Sequence, residues 1–278
     1  MKRTFSTALV PATLLALGCG EAEPDENFGV DPSFTEDAFY ATDADVGGAY
    51  VAGDPADQVA ADDGGDFLTL SPPPSLVNPE LVAARAGGAV DRYFSPAGCA
   101  TVTLLGAEVT YSLERCTGPL GLRDLTGQIR VRYEARGDEL SMSVDSSDLT
   151  TAGRAVTLDL EVTRSALGES DRRLRITSNT SVAGERSILY RELDLEVRYV
   201  PNSGCVEVTG RGDVDVDERA FTYTLDGYSR CSGQCPASGI LTLEDASDSA
   251  SLRFDGSNRP DYATSDRRSG ELLLECEP

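Results

Sequence analysis

The side chains most able to do chemistry in this chain are its acids and its cysteines. There are 47 Asp and Glu, seven Cys and no His. Without His the commonest general base and the commonest metal ligand are both missing. Asp213, Asp215 and Asp217 alternate in "GDVDVDE". A calcium loop needs a sharp glycine turn and a terminal Glu at a fixed offset, and neither is present. Val214 and Val216 between the acids instead predict a strand with its acidic side in water. The acidic loops "EDASDS" (244–249) and "RPDYATSD" (259–266) are the better calcium candidates. A carboxylate-based hydrolase needs two acids about 5–9 Å apart in a groove. Nothing in the sequence brings two together, and aromatics to line such a groove are few, with no Trp. "CSGQC" separates Cys231 and Cys235 by three residues, so it is not a CxxC redox or zinc pair. "RGD" at 211–213 overlaps a strand start and is a three-letter coincidence. No GxSxG elbow, phosphate-binding loop or HExxH is present. The expectation is a protein without catalytic residues, metal or cofactor.

Cys19 stands apart from the other six cysteines. The chain opens "MKRTFSTALVPATLLALGCG", with Lys2 and Arg3 ahead of an apolar run from Phe5 to Leu17. That run is too short for a transmembrane helix, which needs about 20 apolar residues, and has the length of a secretory signal core. "ALGC" resembles the lipobox of bacterial lipoproteins, with Ala16 and Leu17 in place of the more usual Leu and Ala or Ser. The resemblance implies that residues 1–18 are a signal peptide removed in processing. It also implies that the Cys19 thiol takes diacylglycerol and the new amine a further palmitate-type chain. Two or more chains give stable anchoring where one does not. Gly20, rather than Asp, follows the lipidated position, which in such lipoproteins implies the outer membrane of the cell envelope. Removing Cys19 also leaves six cysteines, an even number that can pair fully.

Residues 20–66 hold fourteen acids and no Lys or Arg, with much Gly, Ala and Pro. Phe28, Phe34, Phe39, Tyr40 and Tyr50 are scattered through it without a period. Such a segment buries too little apolar surface to offset its ordering entropy. Residues 19–66 are therefore expected to be a lipidated Cys and a disordered acidic tether. The formal net charge of −23 excludes nucleic acid and anionic lipid as partners, since both need basic surfaces. The expected partner is the membrane, through the lipid anchor. The sequence identifies no protein or small-molecule partner.

Residues 67–278 are expected to fold as a disulfide-bonded β domain. Asn78, Pro79, Val82, Ala86, Val90 and Tyr93 predict one short helix at its start. Thereafter apolar residues alternate in "EVTYSL", "QIRVRY", "LSMSV", "VTLDLEV", "LDLEVRY", "FTYTL", "ILTL", "SLRF" and "ELLLEC". Gly-, Asn- and Asp-containing turns separate them. The fold class predicted is all-β: an antiparallel meander of about a dozen strands forming a curved sheet, sandwich or open barrel with one dry face.

The domain states one theme twice, in possible halves 95–200 and 201–278. "GCATVTLLGAEVTYSLERC" is answered by "GCVEVTGRGDVDVDERAFTYTLDGYSRC". Six cysteines allow fifteen pairings. A true repeat gives Cys99–Cys116 and Cys205–Cys231, leaving Cys235–Cys276. A Cys231–Cys235 bond with Cys205–Cys276 is the alternative that would end the repeat. The first half, "GCATVT…YSLERCTGPLGLRDLTGQIRVRYEA", resembles an uncharacterised group of Gram-negative envelope lipoproteins with a Cys…Cys-Thr-Gly-Pro frame. The resemblance implies fold and location and transfers no catalytic residue. Three functions are set side by side: an outer-membrane-anchored structural or binding lipoprotein, a carrier holding an acyl chain on a concave apolar face, and a carboxylate-based hydrolase.

Overall fold

A computed structural model describes residues 30–62, 78–119, 122–136, 139–164, 173–184, 187–200, 205–217, 219–231 and 234–276. Three helices precede the sheet: α1 (Pro32–Asp62), α2 (Pro79–Gly88) and α3 (Val90–Tyr93). The first half of the sheet is β1 (Ala100–Leu105), β2 (Glu108–Cys116), β3 (Leu125–Arg136), β4 (Glu139–Thr151), β5 (Arg154–Thr157), β6 (Asp159–Arg164) and β7 (Arg173–Ala183). The second half is β8 (Ile188–Val200), β9 (Cys205–Val216), β10 (Arg219–Cys231), β11 (Ser238–Glu244), β12 (Ser249–Phe254), β13 (Asp261–Thr264) and β14 (Ser269–Glu271). Each strand pairs antiparallel with its neighbours in one sheet, from the edge β1 to the edge β14. The all-β meander is thus what the alternating sequence builds.

In β3, Ile129, Val131 and Tyr133 are buried while Arg130 and Arg132 face out. The outward arginines meet Asp145 of β4 and Glu108 of β2, their register partners, at 2.7 and 2.8 Å. The expected strand "VTLDLEV" is broken at Leu158, whose N–H donates to Ser146 Oγ at 2.8 Å. The two fragments, β5 and β6, share one position between β4 and β7. The short helix expected after residue 78 is α2: Asn78 Oδ1 accepts from the Glu80 N–H at 2.9 Å, and Pro79 takes the first helical position.

The acidic stretch departs from expectation. Residues 32–62, read as a disordered tether, form α1, and every residue from Asp37 to Ala49 is buried. No face of that segment is left to solvent, so the sheet must wrap around it. α1 touches β4, β6, β7, β8, β11, β12 and β13, and α2 closes against α1 and β1–β3. The folded domain therefore begins by Val30 rather than at residue 67. Asp31 starts α1, its Oδ1 accepting from the Ser33 N–H at 2.9 Å, with Pro32 next. Gly47, Gly48, Gly53 and Pro55 make it a poor helix by propensity, so packing must hold it. At Gly47 a Cβ would lie 2.9 Å from Leu122 Cδ1, and at Gly48 3.0 Å from Leu160 Cδ1. Those two glycines let the helix lie close against the sheet and the loop before β3.

A second departure is the C-terminus. "ELLLEC", expected as a final strand beside β11, leaves the sheet after Glu271. It runs as an irregular segment whose Leu274 N–H donates to Asn258 O at 2.9 Å and whose Glu275 N–H donates to Tyr40 Oη at 3.0 Å. The signal peptide, Cys19 and residues 20–29 and 63–66 of the expected tether lie outside the described residues.

Candidate functional site

The chemistry-bearing groups that the fold brings together lie along α1. Three arginines reach inward from the sheet to meet its carboxylates. Arg154 of β5 bonds Asp37 at 2.8 Å and Glu36 at 2.7 Å, and its guanidinium lies 4.2 Å from the centre of the Tyr40 ring. Asp37 also accepts from Ser187 Oγ at 3.0 Å. Gly184 makes room there, since a Cβ would fall 2.5 Å from Asp37 Oδ2.

Asp45 is the best-furnished carboxylate. It accepts from Arg191 at 2.5 Å and from Ser178 and Thr180, each at 2.6 Å. Both side chains of the Arg191–Asp45 pair are 0 % exposed. Arg191 also donates to Thr42 Oγ1 at 2.9 Å, and Thr42 bonds Tyr223 Oη at 2.7 Å.

Asp43 takes Arg230 at 2.9 Å and a hydrogen bond from Tyr228. Burial pushes the Asp43 carboxyl above its ordinary value, against the opposing pull of Arg230 and the Tyr228 hydrogen bond. Burial likewise lifts the phenol of Tyr228 well above its usual range and that of Tyr223 to about 12. Further along α1, Asp54 accepts from Tyr93 Oη at 2.8 Å.

The geometry gives these groups a structural task. Each buried carboxylate is held by a guanidinium and hydroxyls aimed at it, which is what an ion needs to remain inside a fold. The carboxylates predicted as calcium candidates are engaged too. Asp245 accepts from Arg219 at 2.5 Å and from the N–H groups of Ser247 and Asp248, each at 2.8 Å, and the Arg219 bond holds its carboxyl below the usual range. Asp266 accepts from Arg268 Nε at 2.7 Å. Asp213 and Asp215 are exposed on the outer side of β9, and Asp217 is exposed in the turn after it. Among the described residues no group of three acids or cysteines is placed to hold a metal ion.

The cysteines form three local bonds. Cys99–Cys116 joins the approach to β1 with the end of β2, at a Cα separation of 5.5 Å. Cys205 and Cys231 are cross-strand partners in β9 and β10, 4.0 Å apart. Cys235–Cys276, 5.2 Å apart, ties the segment before β11 to the C-terminal segment. Both disulfide-bonded hairpins also carry a register slip in their second strand. β2 slips register between Leu113 and Cys116, with Arg115 at φ 52°. β10 slips between Leu225 and Tyr228, with Gly227 at φ 59°. The slip thus falls at Cys116 in β2 and a few residues before Cys231 in β10.

The inward arginines are the residues sequence reasoning missed. Arg191 interrupts an apolar row, Leu189-x-Arg191-x-Leu193-x-Leu195, at a position the alternation assigns to the interior. Arg230 does the same two residues after Tyr228. A charge in the dry phase of a strand signals a buried counter-ion, and the acidic N-terminal stretch, with fourteen acids and no Lys or Arg, is the richest source of one. No protein-family model, curated protein or solved structure matches the chain.

Proposed function

We propose that the protein is a non-catalytic lipoprotein of the cell envelope, anchored through Cys19 to the outer membrane, with a binding or structural duty performed by the outside of its sheet. Cysteine accounting carries this reading. Six of the seven cysteines are joined in three disulfides, so Cys19, at the end of the "ALGC" signal, is the one left over for acylation. The interior supports the non-catalytic part. The concave face that an acyl carrier would keep open is filled by α1, and the buried carboxylates that a hydrolase would use are bound to Arg154, Arg191 and Arg230. What remains to meet a partner is the outer face, where rows of Arg, Asp, Glu and Thr alternate across β7–β10.

Mass spectrometry of the mature N-terminus tests the anchor. The expected species begins at Cys19 and carries diacylglycerol and an N-acyl chain. Cys19→Ser should shift the protein from the membrane to the soluble fraction. A chain beginning elsewhere, or an unmodified Cys19 thiol, overturns the proposal.

A further inference from the structure

Because α1 belongs to the folded domain, the chain between Cys19 and the first described residue, Val30, is eleven residues long, far shorter than residues 19–66. From Cys19 to Val30 the chain spans at most about 40 Å fully extended, so the rim where Val30 emerges is held within that distance of the bilayer, whereas the opposite rim can lie a further domain width away. That side is identifiable. Val30 O accepts from Arg268, in the turn after β13, at 3.1 Å. In a meander every second turn lies on the same rim. With β5 and β6 sharing one position, the turns after β2, β4, β7, β9, β11 and β13 form the rim at which Val30 sits. Asp37, near the start of α1, meets Ser187 and Gly184 in the turn after β7, on that same rim. Ile188 and Tyr190 open β8 immediately beyond this turn, and both face outward, 46 % and 57 % exposed. The opposite rim carries the turn after β1, with Leu104 and Leu105.

We infer that the Val30 rim is the membrane-facing side of the domain, with Ile188 and Tyr190 reaching the lipid interface. The inference rests on the anchor proposed above. Tyr is suited to that depth because its ring is apolar and its hydroxyl stays with the headgroups. Asp217, which accepts the Ile188 N–H at 3.3 Å, and Asp215, the register partner of Tyr190, stand beside the pair. Their charge disfavours an anionic surface and suits a zwitterionic one, whose ammonium groups can meet them. The partner is therefore a zwitterionic phospholipid surface, touched by two side chains on the rim at which Val30 sits.

The chain has no Trp, so a single introduced indole reports without background. Tyr190→Trp and Leu105→Trp, each in the mature chain, are compared on phosphatidylcholine vesicles whose acyl chains carry bromine as quencher. Each protein is attached in two ways: by its native acyl groups, and by coupling a maleimide lipid to the Cys19 thiol of non-acylated protein, where the other six cysteines are blocked as disulfides. The Tyr190→Trp emission should be about twofold more quenched than that of Leu105→Trp in both attachments. Equal quenching of the two, or stronger quenching of Leu105→Trp, overturns the inference. The maleimide arm separates the two readings, because it fixes the anchor chemically. A failure of acylation appears in the mass of the native protein, whereas a wrong orientation appears in the quenching ratio.

Discussion

Asp45→Ala should be among the most damaging single substitutions in the protein. It leaves the Arg191 guanidinium, itself 0 % exposed, without its carboxylate, and deprives Ser178 and Thr180 of the oxygens they donate to. Breaking a buried pair by removing one partner costs about 3–5 kcal/mol, because the remaining charge stays in a dry interior. For a domain of this size each kcal/mol moves Tm by about 2–4 °C, so a loss of about 6–20 °C is expected. Urea unfolding and calorimetry of the mature chain carrying Cys19→Ser would measure it. The paired change Asp45→Leu with Arg191→Met should recover most of the loss, since two apolar groups replace two matched ions and Ser178 Oγ and Thr180 Oγ1 already lie 3.0 Å apart. Arg130→Ala, in the exposed Arg130–Asp145 pair, should leave Tm unchanged. The reasoning fails if Asp45→Ala costs less than about 1 kcal/mol, below the range for an orphaned buried charge. It fails equally if the paired variant is as unstable as the single one.

A chain begun at residue 67 lacks α1 and should bind a hydrophobic dye and melt without cooperativity, while one begun at residue 28 should keep the parent Tm. Asp43 is raised by burial above its ordinary 3.8, so its contribution is fully present below that value and is lost as pH rises through the folded one. The stability advantage of the parent over Asp43→Asn should therefore shrink between pH 4 and pH 7 in urea titrations, and growth of that advantage would contradict the burial argument. Tyr40, Tyr93, Tyr111, Tyr133, Tyr223 and Tyr228 are all raised chiefly by burial, so they contribute stability below pH 10 that is lost above it. Phenolate absorbance from these six should appear only together with alkaline unfolding, and its appearance in a still-folded protein would count against the packed interior. Replacing Cys235 and Cys276 by Ser opens a sequence separation of 41 and should cost about 4 kcal/mol in the chain-entropy model, read by urea unfolding.

The strands were legible because their signal is local. Ile129, Val131 and Tyr133 alternate with Arg130 and Arg132, and a period of two needs no knowledge of the rest of the chain. The α2 cap was equally local, since Asn78 and Pro79 adjoin the residues they start. α1 was illegible for the opposite reason. Its Asp, Gly and Pro content argues against order when the segment is weighed alone, and its carboxylates find their arginines more than a hundred residues away: Arg154 for Asp37, Arg191 for Asp45, Arg230 for Asp43. The inward phase of Arg191 in β8 was visible from the start, but pairing it with Asp45 required the fold. "ELLLEC" misled because buried Leu274 packs in an irregular segment that happens to alternate.

The distance along the chain between α1 and its arginines sets the order in which the protein can assemble. Asp43 and Arg230 are separated by 187 residues, and Thr42 and Tyr223 by 181. α1 is delivered first, yet two of the three ions that hold it are supplied only when β8 and β10 arrive. Early hairpins such as β3–β4 can pair by themselves, but the interior cannot close until the last third of the chain is present. Non-local contacts of this kind slow folding, because loop closure must precede the interactions that reward it. The nascent domain therefore passes through a stage in which a half-built sheet shows part of its apolar face and α1, though able to meet β4, β6, β7 and Arg154, lacks the two arginines that hold Asp43 and Asp45. Its survival through that stage depends on being held apart from other chains until Arg191 and Arg230 have emerged, so the feature that makes the finished interior unique also makes its assembly late and vulnerable.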